Sequence, residues 1–272
     1  MSIRSTCLSF IAKLLLPVAM LSGFTAHGAE RCDNGLCSTS DSTSLYQEVR
    51  RESYRFSPGQ IVVPAALIGV GVWGASGGWM HTVDKDLNKE FHFGGTGRVD
   101  DVLEFTPFAA DILLGVAGVL TYYSIADRAI SSATSLIIAE ATVQIMKHTV
   151  TVTRPDGSDS HSFPSGHSAR AFAGAELTRI HYGNLWGLGA YGLAAATAVL
   201  RVGHQRHWLS DVMAGAGIGI ISARVAMWLL PLEQRLMCRM FHRKEDSSAL
   251  SQSAIIPYAS PNGGGLTLVH TF

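Results

Sequence analysis

The sequence predicts an all-α protein, a bundle of about six core helices embedded in a membrane, with a short β-hairpin-like tail. Hydrophobic residues make up 47% of the 272-residue chain, and charged residues only 15%. Long apolar runs fill the middle of the chain, and their lengths exceed those of normal strands and suit helices. Glycine and alanine are frequent in them, as in GLGAYGLAAATAVL, and such small residues let helices approach closely in a bilayer.

Six apolar runs account for the predicted helices. They are Ile61–Met80, Pro107–Ala126, Ile130–Met146, Ala169–Ile180, Leu185–Val202 and Val212–Leu230. Several of them carry a charged residue, namely Asp111, Glu140, Glu176 and Arg224. Because a charge is costly in lipid, we expect these side chains to face the bundle interior or a wet cavity. The buried core of a soluble all-α protein is the alternative interpretation.

The N-terminal part of the chain is typical of an exported protein. Residues 1–29 predict a signal peptide, with basic residues, the apolar stretch Leu14–Phe24 and small residues suited to cleavage. An uncleaved membrane anchor is the alternative, although the apolar stretch is shorter than the roughly 20 residues that a span needs. Residues 30–60 form a polar lead-in, in which Cys32 and Cys37 can form a disulfide after export.

The predicted helical domain covers residues 61–230, and a basic linker and tail follow at 231–272. The last stretch, IIPYASPNGGGLTLVHTF, predicts two short strands around a Pro-Asn-Gly-Gly turn. The formal net charge of the chain is zero, so the chain lacks the positive charge excess that is typical of nucleic-acid-binding proteins. We therefore expect no nucleic-acid partner, while the apolar helices predict a membrane.

Basic residues near the helix ends give conflicting indications of orientation. The segment RLMCRMFHRK favours a cytoplasmic end for the last helix. If all six runs cross, counting back puts residues 147–168 and 201–211 outside but the early segment VRRESYR inside. A cleaved signal would put that early segment outside. Either the first run does not cross, or the signal is an anchor, or the protein is not a simple six-span bundle. Whichever helices cross, we expect the site described below to face the periplasm.

Polar chemistry gathers in three clusters at predicted helix boundaries. The clusters are KHTVTVTRPDGS with Lys147 and Arg154, FPSGHSARAF with Ser165, Gly166 and His167, and RVGHQRHWLSD with Arg201, His207 and Asp211. The cations among these residues border apolar segments, and an unpaired buried cation is expensive. No run of Asp or Glu is placed to neutralise all three, whereas phosphate fits the forked donors of arginine. The cations also argue against a bound metal ion.

The second cluster predicts an anion cradle with an acid beside it. We expect a helix to start near Ser168, with backbone N–H groups that favour an anion at that start. Gly166 lets the backbone approach the ligand closely, and the Ser165 hydroxyl can add a hydrogen bond. His167 then stands beside the anion and can donate a proton to a leaving oxygen.

The third cluster predicts a nucleophile and the residue that orients it. At positions i and i+4 of a helix, His207 and Asp211 would share one face. The carboxylate can hold one ring nitrogen and leave the other free to attack. A plain surface pair and a His/Asp metal site are the alternatives, and the neighbouring cations disfavour the metal.

Together the three clusters resemble the signature of the type 2 phosphatidic acid phosphatase superfamily. That signature reads Lys-x6-Arg-Pro, then Pro-Ser-Gly-His, then Ser-Arg-x5-His-x3-Asp. It matches here at Lys147…Arg154-Pro155, at Pro164–His167 and at Arg201…His207…Asp211. The one departure is Leu200, where the family usually has serine, which puts one supporting hydrogen bond in doubt. The resemblance covers roughly residues 60–230.

The resemblance implies a helical bundle and metal-independent dephosphorylation without a cofactor. It implies His207 as the nucleophile of a phosphohistidine intermediate, Asp211 as its orienting residue and His167 as general acid. It also implies a phosphate-binding set, made up of Lys147, Arg154, Ser165, Gly166 and Arg201. An envelope lipid phosphate is the expected substrate. A soluble periplasmic acid phosphatase, a vanadium haloperoxidase and a non-catalytic membrane scaffold are the alternatives.

Overall fold

A computed structural model of the chain describes residues 56–77, 79–93, 98–121, 123–246, 253–260 and 263–270. The predicted signal peptide and the Cys32–Cys37 pair lie outside these residues. The chain divides into two compact units, one that ends at Leu230 and one that begins at Pro231. In the second unit the last helix continues, and two antiparallel strands pair with Ser253 opposite His270.

The described residues confirm the predicted fold class, because they form eight helices and only a terminal two-stranded hairpin. The helices are α1 Gly59–Ala75, α2 Trp79–Glu90, α3 Arg98–Leu103, α4 Thr106–Val116, α5 Ile125–Thr149, α6 Gly166–Tyr182, α7 Asn184–Gly203 and α8 Leu209–Asp246. The strands are β1 Ser253–Ser260 and β2 Gly263–His270. The hairpin prediction for the tail is therefore also confirmed.

Two of the predicted helices are wrong in extent. The run Ile61–Met80 is divided between α1 and α2, which are bent by 81° from each other at a break that includes Gly77 with φ 94°. The run Pro107–Ala126 contains only the 11-residue helix α4, which ends before Gly118 with φ 81°. Glycine adopts such positive φ values without the steric penalty of other residues. A helix can therefore end at a glycine within an apolar run, and the hydrophobicity of the run does not reveal that end.

The helices α5 to α8 are arranged so that their four motif-bearing ends lie together. Lys147 is in the last turn of α5 and Arg201 in the last turn of α7, whereas α6 begins at Gly166 and α8 at Leu209. The chain reverses between α6 and α7 at Gly183, whose φ is 88°. Two helix ends and two helix starts therefore meet at one end of the bundle.

Close contact between α6 and α8 depends on glycines of α8. A Cβ atom added to Gly219 would lie 2.2 Å from the carbonyl oxygen of Ala169, and one added to Gly215 would lie 2.3 Å from that of Ser165. Both distances are far below van der Waals contact, so only glycine permits this approach of the two backbones. The same approach lets the Ser165 amide donate to the Asp211 carbonyl at 3.0 Å.

The charged residues of the apolar runs face the bundle interior or a cavity, as predicted, and Glu140 is the one that lines a cavity. Asp111 and Glu176 are fully buried, and Arg224 is 2% exposed. Arg224 donates from Nε to Glu176 at 2.6 Å, and His181 Nδ1 lies 2.7 Å from Asp111 Oδ1. Each charge has a polar partner within the bundle, which reduces the cost of removing it from water.

Among the described residues, three helical segments are long and apolar enough to cross a membrane: α5, α7 and Leu209–Met237 of α8. The bent pair of α1 and α2 adds a fourth if it counts as one span. Large apolar side chains are exposed on the surface of these helices, for example Ile137 and Ile145 of α5. Water disfavours such a surface but lipid does not, so we describe the chain as a membrane protein.

We predict that Gly219→Ala lowers the free energy of unfolding by about 1–3 kcal/mol, because the added methyl group must push α6 and α8 apart. Gly189→Ala in α7 is the matched control, since nothing lies within 4 Å of its Cβ position and alanine is the better helix former. Denaturant unfolding of both variants in detergent gives the comparison. Equal stability of the two variants would contradict the close contact.

Candidate active site

One cavity at the end of the helical domain brings the three motif clusters together. Its volume is about 130 Å³, and it is lined by Glu140, Val143, Gln144, Lys147, Arg154, Gly166, His167, Arg170, Arg201 and His207. Six of the eight predicted site residues are among them. The other two, Ser165 and Asp211, are fully buried behind the wall, where the Ser165 amide donates to the Asp211 carbonyl at 3.0 Å.

The helix that carries the second cluster begins earlier than predicted. The first residue of α6 is Gly166 and not Ser168, and Ser165 is its N-cap. The Ser165 hydroxyl accepts from the Ser168 amide at 3.4 Å and lies 3.0 Å from the Ser168 hydroxyl. The first amides of a helix have no acceptor within the helix. The amides at the start of α6 that the predicted anion cradle would use are therefore those of Gly166 and His167, and Ser165 is the helix cap beside them.

His207 does not share a helical face with Asp211, because it precedes the start of α8. Its Nδ1 lies 2.8 Å from the carbonyl oxygen of Ser162 and 3.6 Å from Asp211 Oδ2. A carbonyl oxygen can only accept, so Nδ1 carries the proton and Nε2 of the neutral ring has a free lone pair. The expected direct hydrogen bond to Asp211 is wrong, and a backbone carbonyl sets the tautomer instead.

Asp211 supports the segment around His207 and not the ring alone. Its Oδ2 accepts from the Ser162 hydroxyl and, at 2.9 Å, from the Trp208 amide at the start of α8. Ser162 is thus a site residue that sequence reasoning missed, since a role played by a backbone carbonyl leaves no side-chain signature. The Asp211 carboxylate still lies near enough to favour positive charge on the His207 ring.

Burial keeps the His207 ring neutral. The side chain is 2% exposed, and burial lowers its pKa, although Asp211 acts in the opposite direction. Arg201 and Lys147 lower the pKa further because like charges repel. At neutral pH the ring therefore keeps the unprotonated Nε2 that a nucleophile needs.

His167 lies against acidic residues that come from α3 and from the residue just after it. Its Nε2 is 2.8 Å from Asp101 Oδ1, and its Nδ1 is 3.6 Å from Glu104 Oε2. Burial, and then the nearby Arg201 guanidinium, lower the pKa of His167 to about 4, while the hydrogen bond to Asp101 raises it. In this arrangement the ring is neutral at pH 7, and it needs an added negative charge nearby to become a proton donor.

Carboxylates contact the predicted phosphate-binding arginines. Arg201 Nη1 lies 3.1 Å from Asp100 Oδ2, and Arg154 Nη2 lies 3.1 Å from Asp159 Oδ2. The sequence has no run of Asp or Glu that would neutralise all three cations, as expected, but single carboxylates still pair with both arginines. The acidic residues are spread over α3 and a loop, so they form no run in the sequence.

The cavity is suited to a tetrahedral oxyanion. Cationic side chains and the first amides of α6 supply hydrogen-bond donors, and two imidazole rings line the same space. One ring has its tautomer set for nucleophilic attack, and the other has carboxylates beside it that favour its protonated form. Among the described residues, no group of three or more His, Cys, Asp or Glu side chains is arranged to hold a metal ion.

The chain is similar to known proteins in sequence and in structure. Residues 128–235 match the sequence model of the PAP2 superfamily. The lipid A 1-phosphatase of Porphyromonas gingivalis is 31% identical over 160 residues, which cover 55% of this chain and 35% of that protein. The chain thus spans about a third of the length of this relative. The crystal structure of Aquifex aeolicus LpxE aligns with 17% identity and a TM-score of 0.38, over 69% of this chain and 98% of that one.

We predict that Asp101→Asn lowers the pKa of His167 below its value of about 4, because the carboxylate stabilises the protonated ring. Histidine-selective NMR of the protein in detergent micelles measures the titration. Asp86→Asn is the control, since Asp86 is an exposed residue that pairs with Lys89. A His167 titration that Asp101→Asn leaves unchanged would contradict the contact.

Proposed function

We propose that this chain is a metal-independent phosphatase of an envelope lipid, because residues 128–235 match the sequence model of the PAP2 superfamily, the family whose signature the three motif clusters resemble. The substrate is a lipid phosphomonoester or diphosphate, and the reaction passes through a phosphohistidine. One observation carries the proposal: a single cavity contains residues of all three motif clusters, with both histidines on its wall. The relative named as a lipid A 1-phosphatase supports a lipid substrate.

In the proposed first step, Nε2 of His207 attacks the phosphorus atom and the bond to the leaving oxygen breaks. The Ser162 carbonyl holds the Nδ1 proton of His207 and so keeps Nε2 directed toward the cavity. Asp211, 3.6 Å from Nδ1, stabilises the positive charge that the ring gains. Lys147, Arg154, Arg201 and the first amides of α6 bind the phosphoryl oxygens.

His167 is the proposed general acid. Its low pKa in the free protein leaves it neutral, but a phosphate dianion in the cavity favours the protonated ring. It then donates a proton to the leaving lipid oxygen, and in the second step it accepts a proton from the water that attacks the phosphohistidine. The cavity cations supply the positive charge that a metal ion provides in other phosphatases.

We expect wild-type protein in detergent to release inorganic phosphate from a lipid phosphate with EDTA present. His207→Ala should reduce the rate by at least about 1,000-fold and abolish the acid-labile phosphoenzyme, because no nucleophile remains. Phosphate release is measured on a panel of four substrates: phosphatidic acid, phosphatidylglycerol phosphate, undecaprenyl diphosphate and lipid A. The phosphoenzyme is trapped with a labelled substrate.

His204→Ala is the control, since His204 lies near His207 in the chain but pairs with Asp100. Near-normal turnover by His207→Ala would overturn the mechanism, and activity that requires zinc or magnesium would overturn the metal-independent site.

We also propose that the cavity faces the periplasm. Both α5 and α7 end at the cavity, and the last candidate span leads away from it into the basic segment at 235–244. Basic segments next to spans favour the cytoplasm. The signal-like N-terminus agrees with this orientation.

Single cysteines at Ser158 and Asn184 test the orientation in a variant that lacks the four native cysteines. Ser158 lies in the exposed loop beside the cavity, and Asn184 begins α7 at the opposite end of that helix. A membrane-impermeant thiol reagent on intact spheroplasts should label position 158 and leave 184 protected until the cells are lysed. The reverse pattern would put the cavity in the cytoplasm, and labelling of both positions would favour a surface-bound protein.

A further inference from the structure

Arg170 is a cavity residue that lies outside the three motif signatures. It lines the same space as Lys147, Arg154 and Arg201, and its side chain is 20% exposed. It follows Gly166 by four residues on α6, and helical side chains point back toward the N-terminus of their helix. Arg170 therefore projects over the first turn of α6, where the anion cradle is formed.

The guanidinium group of Arg170 lies next to the backbone of Gly166. A Cβ atom placed on Gly166 would lie 3.5 Å from Nη1 and 3.7 Å from Nη2 of Arg170. Gly166 thus leaves room for the guanidinium group directly beside the first amides of the helix. A charged donor and backbone donors converge there on one volume, which is the arrangement that binds phosphate in proteins.

Two carboxylates hold Arg170 in this position from two neighbouring segments. Its Nε donates to Glu104 Oε2 at 2.7 Å, and its Nη1 donates to Glu140 Oε2 at 2.6 Å. A guanidinium group has five N–H donors, and these two bonds occupy two of them. The carboxylates therefore orient the planar group, and N–H donors remain for a ligand in the cavity.

We propose that Arg170 is a further phosphate-binding residue, which holds a phosphoryl oxygen over the start of α6, and that Glu104 and Glu140 position it. This inference rests on the proposed function, because it assigns a residue to the same site. The fork of an arginine can satisfy two carboxylates and an oxyanion at fixed angles, whereas the single ammonium of a lysine cannot. The spacing from Gly166 is the sequence signal that marks this residue.

The test is direct binding of orthovanadate, a phosphate mimic, to the full chain in detergent by isothermal titration calorimetry. We expect Arg170→Gln to weaken binding by about tenfold or more, and Arg170→Lys to weaken it less because the charge is kept. Arg235→Gln, an exposed arginine of α8 that does not line the cavity, is the matched control and should bind as wild type does. In turnover assays Arg170→Gln should raise KM and the inhibition constant of inorganic phosphate by a similar factor.

A structural role alone would give a different result. If Arg170 only links α6 to Glu104 and Glu140, the folded fraction of Arg170→Gln falls but its affinity for vanadate per folded molecule stays at the wild-type value. That outcome, in either Arg170→Gln or the better-folded Arg170→Lys, overturns the inference. Wild-type protein that binds vanadate but releases no phosphate would instead overturn the proposed function, because the binding measurement does not depend on turnover.

Discussion

The approach of α6 to α8 is the contact on which the site depends. Gly215 and Gly219 let the two backbones come closer than any side chain would allow, and the Ser165 amide then reaches the Asp211 carbonyl at 3.0 Å. This hydrogen bond joins the N-cap of α6 to the first turn of α8. The anion cradle at the start of α6 and the ring of His207 therefore belong to one rigid unit, although 41 residues separate His207 from Gly166 in the chain.

A second constraint is the balance of charge at the cavity. Arginines crowded at the end of an apolar bundle need anions, and carboxylates provide them here: Asp100 for Arg201, Asp159 for Arg154, and Glu104 for Arg170. These contacts allow the site to fold before any ligand arrives. They also mean that a phosphate group gains less than the full attraction of the cations, because each cation already has a partner.

The sequence predicted the helical class and most of the cavity wall, because apolar periodicity and motif spacing are local properties. It did not predict the breaks within the first two apolar runs, since hydrophobicity carries no information on the positive φ of Gly77 or Gly118. It also missed Ser162, which acts through its backbone carbonyl, and the acidic residues of α3, whose approach to Arg201 and His167 is a tertiary contact. Both misses concern partners that are distant in the sequence.

The charged groups around His167 determine when its ring can be protonated, which matters for its proposed role as general acid. Burial and Arg201 keep the ring neutral in the free protein, so it carries no acidic proton at neutral pH until a ligand binds. A phosphate dianion adds negative charge in the cavity, and Asp101 at 2.8 Å already favours the protonated form. In the proposed mechanism the substrate brings the charge that makes His167 an acid, so binding comes first, protonation of the ring second, and cleavage of the bond to the leaving oxygen third.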